Sequence, residues 1–395
     1  MTTTTETTWV LSDDVVERCA GRAAAYDREN RFFTEDFEEL RDAGYLTMAV
    51  PTELGGRGFN LAQVCAEERR LAARAPATAL ATNMHVYWTG VAADLARNGD
   101  DSLRWILEEA AAGEVFAAGH GEAGNDLPLL MGVAEAERTD GGYRFTGHKI
   151  FGSLTPVWTR LGIHAVDASD LEHPMIVHAF LPRDAGGWST VETWDTIGMR
   201  ATRSDDTLLD GAFVPDRYIA RVVPAGFAGA DLFVLSIFAW AECTFGSIYL
   251  GLADRAIDLA VASATSRVSV ALEGRTMAWN PMVQSLVADM VIDRDRATAL
   301  VERTAADWAG GVDHGGLWPS KLVAAKYVAA QAAKTVVDSA LDVVGGAGLF
   351  ARNELERLMR DVRSAGVHPA NGPLVHELVG KTHLGLLGVE PRFAG

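Results

Sequence analysis

The chain has 395 residues, of which 48% are hydrophobic and 22% charged; this composition builds packed cores and excludes disordered and fibrous classes. Its 35 Lys and Arg stand against 53 Asp and Glu, a formal net charge of −18, and without a long basic run this argues against nucleic-acid binding. Three widely spaced cysteines, Cys19, Cys65 and Cys243, read as thiols of a reducing compartment, with no disulfide framework.

Taken in chain order, the first stretch is helical. The opening MTTTTETTWVLSDD lacks the basic and then apolar pattern of a signal peptide. Ser12 is a fitting N-cap for a helix over 13–30, and Thr34 starts a second that Gly44 closes. The turn-rich PTELGGRG at 51–58 interrupts the pattern, and helical spacing resumes over 61–75, 78–98 and 100–112. These segments predict a helical domain over 1–115.

The period then changes. Residues 133–138, the turn Asp140-Gly141-Gly142 and residues 143–146 predict a hairpin. Further strands are predicted at 161–166, 175–181, 189–192 and 206–213. No helical pattern separates them, so an antiparallel β-barrel or sandwich is expected over 116–230. From 231 onward the period returns to 3.6, with helices predicted at 231–266, 282–308, 317–344 and 373–387. Their lengths suit a four-helix bundle over 231–395. The longest apolar run, at 232–241, is too short to cross a bilayer, and a cytoplasmic protein without a membrane segment is expected.

No G-x-G-x-x-G follows a strand, so no nicotinamide site is expected; Gly345, Gly346 and Gly348 stand at the end of a predicted helix. A P-loop, a zinc-spaced cysteine or histidine set and a G-x-S-x-G elbow are absent too, and no metal is expected. Four other strings are distinctive: GHGEAGND at 119–126, GHKIFGS at 147–153, WDTIGMR at 194–200 and ERLMRDVR at 356–363.

In this order, and within an α–β–α pattern, these strings resemble the acyl-CoA dehydrogenase superfamily from about residue 34 to the C-terminus. The resemblance implies an α+β fold with an N-terminal helical domain, a central antiparallel β-barrel and a C-terminal four-helix bundle. It also implies a homo-oligomer, dimer or tetramer, with a flavin held between barrel and bundle. Carried over position by position, Gly121 and Asn125 would lie along the flavin, Phe151 would pack on its ring, and Ser153 would stand near N5. Arg267, Gly345, Gly346 and Gly348 would meet a neighbour's FAD. The plainer readings are a core aromatic, a strand serine, a surface arginine and a helix cap.

One departure bears on chemistry. Dehydrogenation needs a carboxylate to take the α-proton of an acyl thioester. Eight residues beyond Arg360-Asp361, where many members carry it, this chain reads Val367-His368-Pro369-Ala370-Asn371. Some relatives place the base on the first bundle helix, and Glu242 falls within one residue of that position. Its apolar neighbours suggest a buried group, read as an ion pair or substrate contact before a displaced base.

These changes resemble the flavin-dependent two-component monooxygenases of the superfamily, the branch of dibenzothiophene monooxygenase and the p-hydroxyphenylacetate hydroxylase oxygenase. The resemblance implies FADH2 (with FMN as a possible substitute) as cofactor and O2 as co-substrate. Hydroxylation of an indole-like or phenolic compound would proceed through a C4a-hydroperoxyflavin, with reduced flavin supplied by a separate flavin reductase. His85, His120, Ser153 and His368 are the expected catalytic residues. Trp88, Trp158, Trp240 and Glu242 are expected against the substrate, the tryptophans excluding water and stacking on a flat ring. The alternatives are an acyl-CoA or acyl-carrier dehydrogenase using Glu242, and an inactive flavin-binding member.

Overall fold

The computed structural model describes residues 9–226 and 231–387; the threonine-rich start up to residue 8 lies outside them. Five helices come first: α1 (Asp13–Glu29), α2 (Thr34–Asp42), α3 (Leu61–Ala72), α4 (Pro76–Arg97) and α5 (Arg104–Ala111). Their ends follow local chemistry. The Ser12 hydroxyl accepts the Val15 amide at the start of α1, and Asn30 closes that helix in the left-handed region. Asn60 and Gln63 form a reciprocal capping box on α3. Helix α4 is buried on nearly every face, the pattern of a core helix.

Eight strands follow: β1 (Phe116–Gly119), β2 (Glu135–Thr139), β3 (Gly142–Lys149), β4 (Arg160–Asp167), β5 (Met175–Pro182), β6 (Trp188–Val191), β7 (Asp206–Pro215) and β8 (Ile219–Pro224). They run in the order β6-β7-β3-β2-β4-β5-β8, with β1 on β4. The expected hairpin is β2–β3. The purely antiparallel expectation is corrected: β1 pairs with β4 in parallel, and β2 meets β4 in parallel at Glu135 and Val166. Two strands escaped the sequence pattern. Phe-Ala-Ala-Gly of β1 is short, made largely of small residues and buried throughout, so it shows no alternation; β8 is a short edge strand carrying a charged arginine and ending on proline.

The chain then returns to helices: α6 (Leu232–Ser266), α7 (Pro281–Ala309), α8 (Trp318–Val344), α9 (Glu354–Asp361) and α10 (Gly372–Leu384). The four expected bundle segments are α6, α7, α8 and α10; α9 is an additional two-turn helix carrying the Arg360-Asp361 pair. Helix α6 is 35 residues long, and by length and composition alone it is apolar enough to cross a membrane. That apolar surface is directed into the protein, with 78% of its most apolar window buried.

Where α6 crosses α4, close approach is built in. A Cβ on Gly90 would fall 2.2 Å from the Trp240 ring, so only glycine admits that indole. Beneath it, Asp94 Oδ2 accepts the indole N–H groups of Trp240 (2.5 Å) and Trp308 (2.7 Å), joining α4, α6 and α7. Asp361 anchors the bundle to the barrel by accepting the Met199 amide at 2.6 Å, and the Arg360 guanidinium pairs with Asp27 of α1 at 2.7 Å.

The Gly90–Trp240 contact yields a stability prediction. Gly90→Ala should destabilise the fold by about 1–3 kcal/mol, the usual cost of overpacking, despite alanine's better helix propensity. Chemical denaturation of variant and parent checks this, and an unchanged midpoint would show that Trp240 moves aside freely.

Candidate active site at the junction of barrel and bundle

A cavity of about 280 Å³ lies where the three groups of elements meet, close to the lower end of small-molecule sites. Helix α4 lines it with Leu80, Met84 and Tyr87, and α6 with Ile237, Phe238, Ala241, Glu242 and Phe245; both sets have the spacing of a single helix face. The β1–β2 connection contributes His120, Gly121, Glu122 and Asn125, and the turn after β3 contributes Ile150, Phe151 and Ser153. The β6–β7 connection adds Trp194, Met199, Thr202 and Ser204, and the turn ahead of α10 adds Val367, His368 and Pro369.

Hydrogen-bond direction sets the chemistry of the rim. Thr202 Oγ1 donates to the Met199 carbonyl at 2.9 Å, Ser204 Oγ lies 2.7 Å from Thr202 Oγ1, and Ser153 Oγ lies 2.7 Å from Ser204 Oγ. Each hydroxyl has one proton. The Thr202 proton is committed to a carbonyl, so the run is satisfied when Ser204 donates to Thr202 and Ser153 donates to Ser204. Ser153 then offers the cavity a lone pair that receives an N–H group.

A backbone carbonyl likewise orders a histidine pair. His164 Nε2 lies 2.9 Å from the Met131 carbonyl, which can only accept, so that nitrogen carries the proton. His164 Nδ1 is then a lone pair, and His120 Nδ1 donates to it across 3.2 Å. Burial, followed by neighbouring positive groups, holds both rings well below the ordinary histidine range, and so they are neutral. Behind them Lys149 Nζ pairs with Glu122 Oε1 at 2.7 Å, both side chains being 1% exposed. Burial opposes the Glu122 charge, yet Lys149 and the amides of Val133 and Ala134 hold its carboxyl below the usual value. Asn125 spans this loop, donating to Glu122 and to the Met131 carbonyl and accepting the Leu127 amide.

On the bundle side His368 Nδ1 lies 3.0 Å from the Tyr249 hydroxyl, and its ring lies against Phe245 at 5.0 Å. Burial and then Lys326 bring its pKa down to about 3. Glu242 accepts the Ala370 amide on Oε1 at 2.8 Å, while its buried Oε2 has no hydrogen-bond partner among the described residues. Burial raises its carboxyl against the pull of Lys326, and burial likewise lowers the Lys326 ammonium against the pull of Glu242.

Of the expected catalytic residues, His120, Ser153 and His368 are brought together on this cavity, and Glu242 joins them. His85 is corrected to a core histidine: Nε2 faces the Leu46 carbonyl at 2.9 Å, Nδ1 accepts the Phe116 amide at 3.0 Å, and the ring is 1% exposed. Both of its nitrogens thus serve the backbone. The expected substrate tryptophans are corrected as well, since none lines the cavity. Trp88 donates to the Ala117 carbonyl and backs His120 edge-on, Trp158 packs on Trp188 under Arg183, and Trp240 is held by Asp94. The aromatic lining is instead Tyr87, Phe151, Trp194, Phe238 and Phe245. Tyr87 was missed although it adjoins Trp88, and the face of α4 formed with Leu80 and Met84 was the signal that could have found it.

Of the expected cofactor residues, Gly121, Asn125, Phe151 and Ser153 lie on the cavity. A Cβ on Gly121 would stand 2.5 Å from the Ile150 carbonyl, so glycine is what lets the loop close on the β3 turn. Phe151, at φ 61° and 61% exposed, meets Trp194 edge-on and leaves an aromatic face open. Arg267 lies elsewhere, on the C-terminus of α8, donating to the carbonyls of Val343 (2.8 Å) and Val344 (2.6 Å) next to Gly345. Gly345, Gly346 and Gly348 form the turn that ends this helix, and only Gly348 is buried there, with no room for a Cβ beside Leu341.

Residues 11–114 match the N-terminal domain of acyl-CoA dehydrogenases, and residues 232–367 match the C-terminal domain. The putative acyl-CoA dehydrogenase YdbM of Bacillus subtilis (strain 168) is 30% identical over 363 residues, 90% of this chain and 91% of its own. Dibenzothiophene monooxygenase of Rhodococcus erythropolis is 26% identical over 385 residues, 90% of this chain and 88% of its own. Among solved structures, a nitrososynthase from Micromonospora carbonacea var. africana superposes with a TM-score of 0.80 at 26% identity, covering 94% of this chain and 95% of that one. The chain belongs to the acyl-CoA dehydrogenase family and has its fold.

The core assignment of His85 carries a pH prediction. Burial brings its pKa from 6.5 to about 4, so as pH falls below 6.5 the unfolded chain takes up this proton before the folded one. The neutral histidine therefore costs stability progressively between pH 6.5 and about 4, by up to about 1.4 kcal/mol per pH unit. His85→Gln should flatten the stability–pH curve in that window. Parallel slopes for parent and variant in denaturation at a series of pH values would refute the assignment.

Proposed function

We propose that the protein is a flavin-dependent oxidoreductase, and within that class the oxygenase of a two-component monooxygenase. Its substrate on this reading is a small aromatic or heteroaromatic compound, and a separate reductase supplies the reduced flavin. The observation that carries the reading is the turn ahead of α10. The position where many dehydrogenases of this family carry the proton-abstracting carboxylate is Pro369 here, and the adjoining His368 lies on the cavity as a neutral imidazole.

The donor set fits a flavin. Phe151 and Trp194 leave aromatic surface at the rim, Gly121 allows close backbone approach, and Ser153 presents an acceptor for a ring N–H. A bound reduced flavin supplies the electrons that activate O2, chemistry no side chain here provides. The chain's own part is to hold and to exclude. With a flavin bound, Ser153 would hold a proton on a ring nitrogen, His368 would offer a neutral imidazole to the reacting group, and Tyr87, Phe238 and Phe245 would keep water from the cavity. The likeness to dibenzothiophene monooxygenase and to a nitrososynthase supports oxygen transfer, and the aromatic lining supports a flat substrate. The family resemblance at Arg267 and Gly345 favours FAD, with FMN as the substitute, and the family fold supports a homo-oligomer.

A second reading, an acyl-CoA or acyl-carrier dehydrogenase, rests on one observation: Glu242 lines the cavity with Oε2 unpartnered and its carboxyl raised toward neutrality by burial. Its other oxygen is committed to the Ala370 amide, so this carboxylate serves the turn as well as the cavity.

Rapid mixing of the protein and anaerobic reduced flavin with oxygenated buffer tests the first reading. A transient spectrum distinct from free flavin should appear, and Ser153→Ala should shorten its life about tenfold, the worth of one good hydrogen bond, with more hydrogen peroxide released. Reoxidation at the rate of free flavin would refute the oxygenase reading. Bleaching of bound oxidised flavin by an acyl-CoA without oxygen, abolished in Glu242→Gln, would establish the dehydrogenase instead.

A further inference from the structure

The turn that bears His368 lies between two helices, which normally leaves a side chain mobile. Here it is gripped from both sides by buried charges of opposite sign. Lys326 projects from α8, 1% exposed, and its ammonium donates to three carbonyls of this one turn: Ala365 (3.1 Å), His368 (2.8 Å) and Ala370 (3.1 Å). Those three donors exhaust the hydrogen-bonding capacity of the group. From α6, Glu242 is 2% exposed and takes the amide of the same Ala370 on Oε1 at 2.8 Å. The backbone at Ala370 is thus held at its carbonyl by a cation and at its amide by a carboxylate.

We propose that Lys326 and Glu242 form a charge clamp on residues 365–370, and that both are positioning residues for His368. The two contacts are charge-assisted and buried, so each is stronger than a neutral backbone bond. Neither charge is tolerable there without the other, because removing one partner strands an uncompensated ion. The clamp leaves the imidazole one remaining freedom, rotation of its own side chain, and Tyr249 and Phe245 of α6 close that off. Helix α6 therefore holds His368 through Glu242, Phe245 and Tyr249, whose spacing of three and four residues aligns them on one face. The clamp places Glu242 in the scaffold of the site and accounts for a buried acid that a proline-bearing turn would otherwise leave without use.

The clamp stands on geometry alone; its service to catalysis rests on the oxygenase reading. Amide hydrogen exchange of the full chain tests the clamp directly. Exchange at Ala370 should quicken about tenfold or more in Lys326→Met and in Glu242→Gln, while the amides of α7 keep their protection. The double variant should exchange within about threefold of the faster single, since two halves of one clamp do not add. Unchanged exchange at Ala370 in either single variant, or a double-variant effect equal to the product of the singles, overturns the proposal. If Lys326→Met does not fold, Glu242→Gln alone decides it on the same readout.

In the flavin-loaded protein, Lys326→Met, at a residue outside the cavity lining, should shorten the oxygen-dependent transient with flavin affinity unchanged. Affinity lost in step with the transient would mean general loosening of the bundle and would overturn the positioning role. A parent protein that forms no transient would sink the oxygenase reading, and amide exchange would still decide the clamp.

Discussion

The structure depends on the burial of α6. A helix of 35 residues with so little charge in its first half has no stable place in water. It is covered by α4 and α3 on one side and by α7 and α8 on the other. Coverage by α4 is possible because Gly90 admits Trp240, and it is oriented because Asp94 receives two indole N–H groups at one oxygen. Near its N-terminal end, the covering helices leave one face of α6 to the barrel, and there Ile237, Phe238, Ala241, Glu242 and Phe245 line the cavity. The pocket lies where that face of α6 meets the loops of the sheet instead of another bundle helix.

Burying that helix also buries the acid it carries. Glu242 sits in surroundings that disfavour its charge, and the structure answers with an amide on one side and the Lys326 ammonium close by. A group that would be costly in isolation thereby gives a short turn the rigidity of a helix end. The barrel side solves its own problem in a similar way: the Lys149–Glu122 pair ties β3 to the loop before β2, and the loop's free carbonyls and amides are taken up by Asn125 and His164. Polar directionality then runs inward. The hydroxyl run ending at Ser153 terminates in a lone pair on the cavity because its far end meets a backbone carbonyl; the histidine run ending at His120 is ordered by a carbonyl in the same manner.

Much of the architecture was legible beforehand. Helical periodicity placed all four long bundle segments and the N-terminal helices, since an amphipathic or wholly buried helix leaves a repeat over many residues. Strands β1 and β8 were not legible, because four or six residues without alternation carry no period; the parallel pairing of β1 with β4 is a long-range choice with no local signature. The site divided along a similar line. Ser153 stands in one of the strings whose order along the chain resembles a known family, His368 was found by counting on from the last of them, and both reach the cavity. Trp88, Trp158 and Trp240 were chosen for residue type, and His85 for its place on the helix that precedes the β-rich segment. Each turned out to spend its polar atoms or its bulk on the core, for an aromatic that excludes water from a pocket and one that fills an interior have the same composition. Lys326 gave no signal, because a lysine within an alanine-rich helix reads as a solvated charge until its neighbours are known.

The amino-acid sequence by itself determined the succession of helical, β-rich and helical segments, the absence of a carboxylate eight residues beyond Arg360-Asp361, and the placing of proline there beside a histidine. These are properties of local order and spacing, which need no fold to be read. Only the tertiary structure decided which side chains share the cavity, which nitrogen of His85, His120 and His164 carries the proton, and that Lys326 and Glu242 hold the carbonyl and the amide of Ala370. Those outcomes depend on groups distant in sequence: His164 and Met131 are 33 residues apart, Lys326 and Ala370 44, and Glu242 and Ala370 128. Their meeting is set by how α6 and α8 pack, and that packing is a property of whole helix faces rather than of any local stretch of sequence.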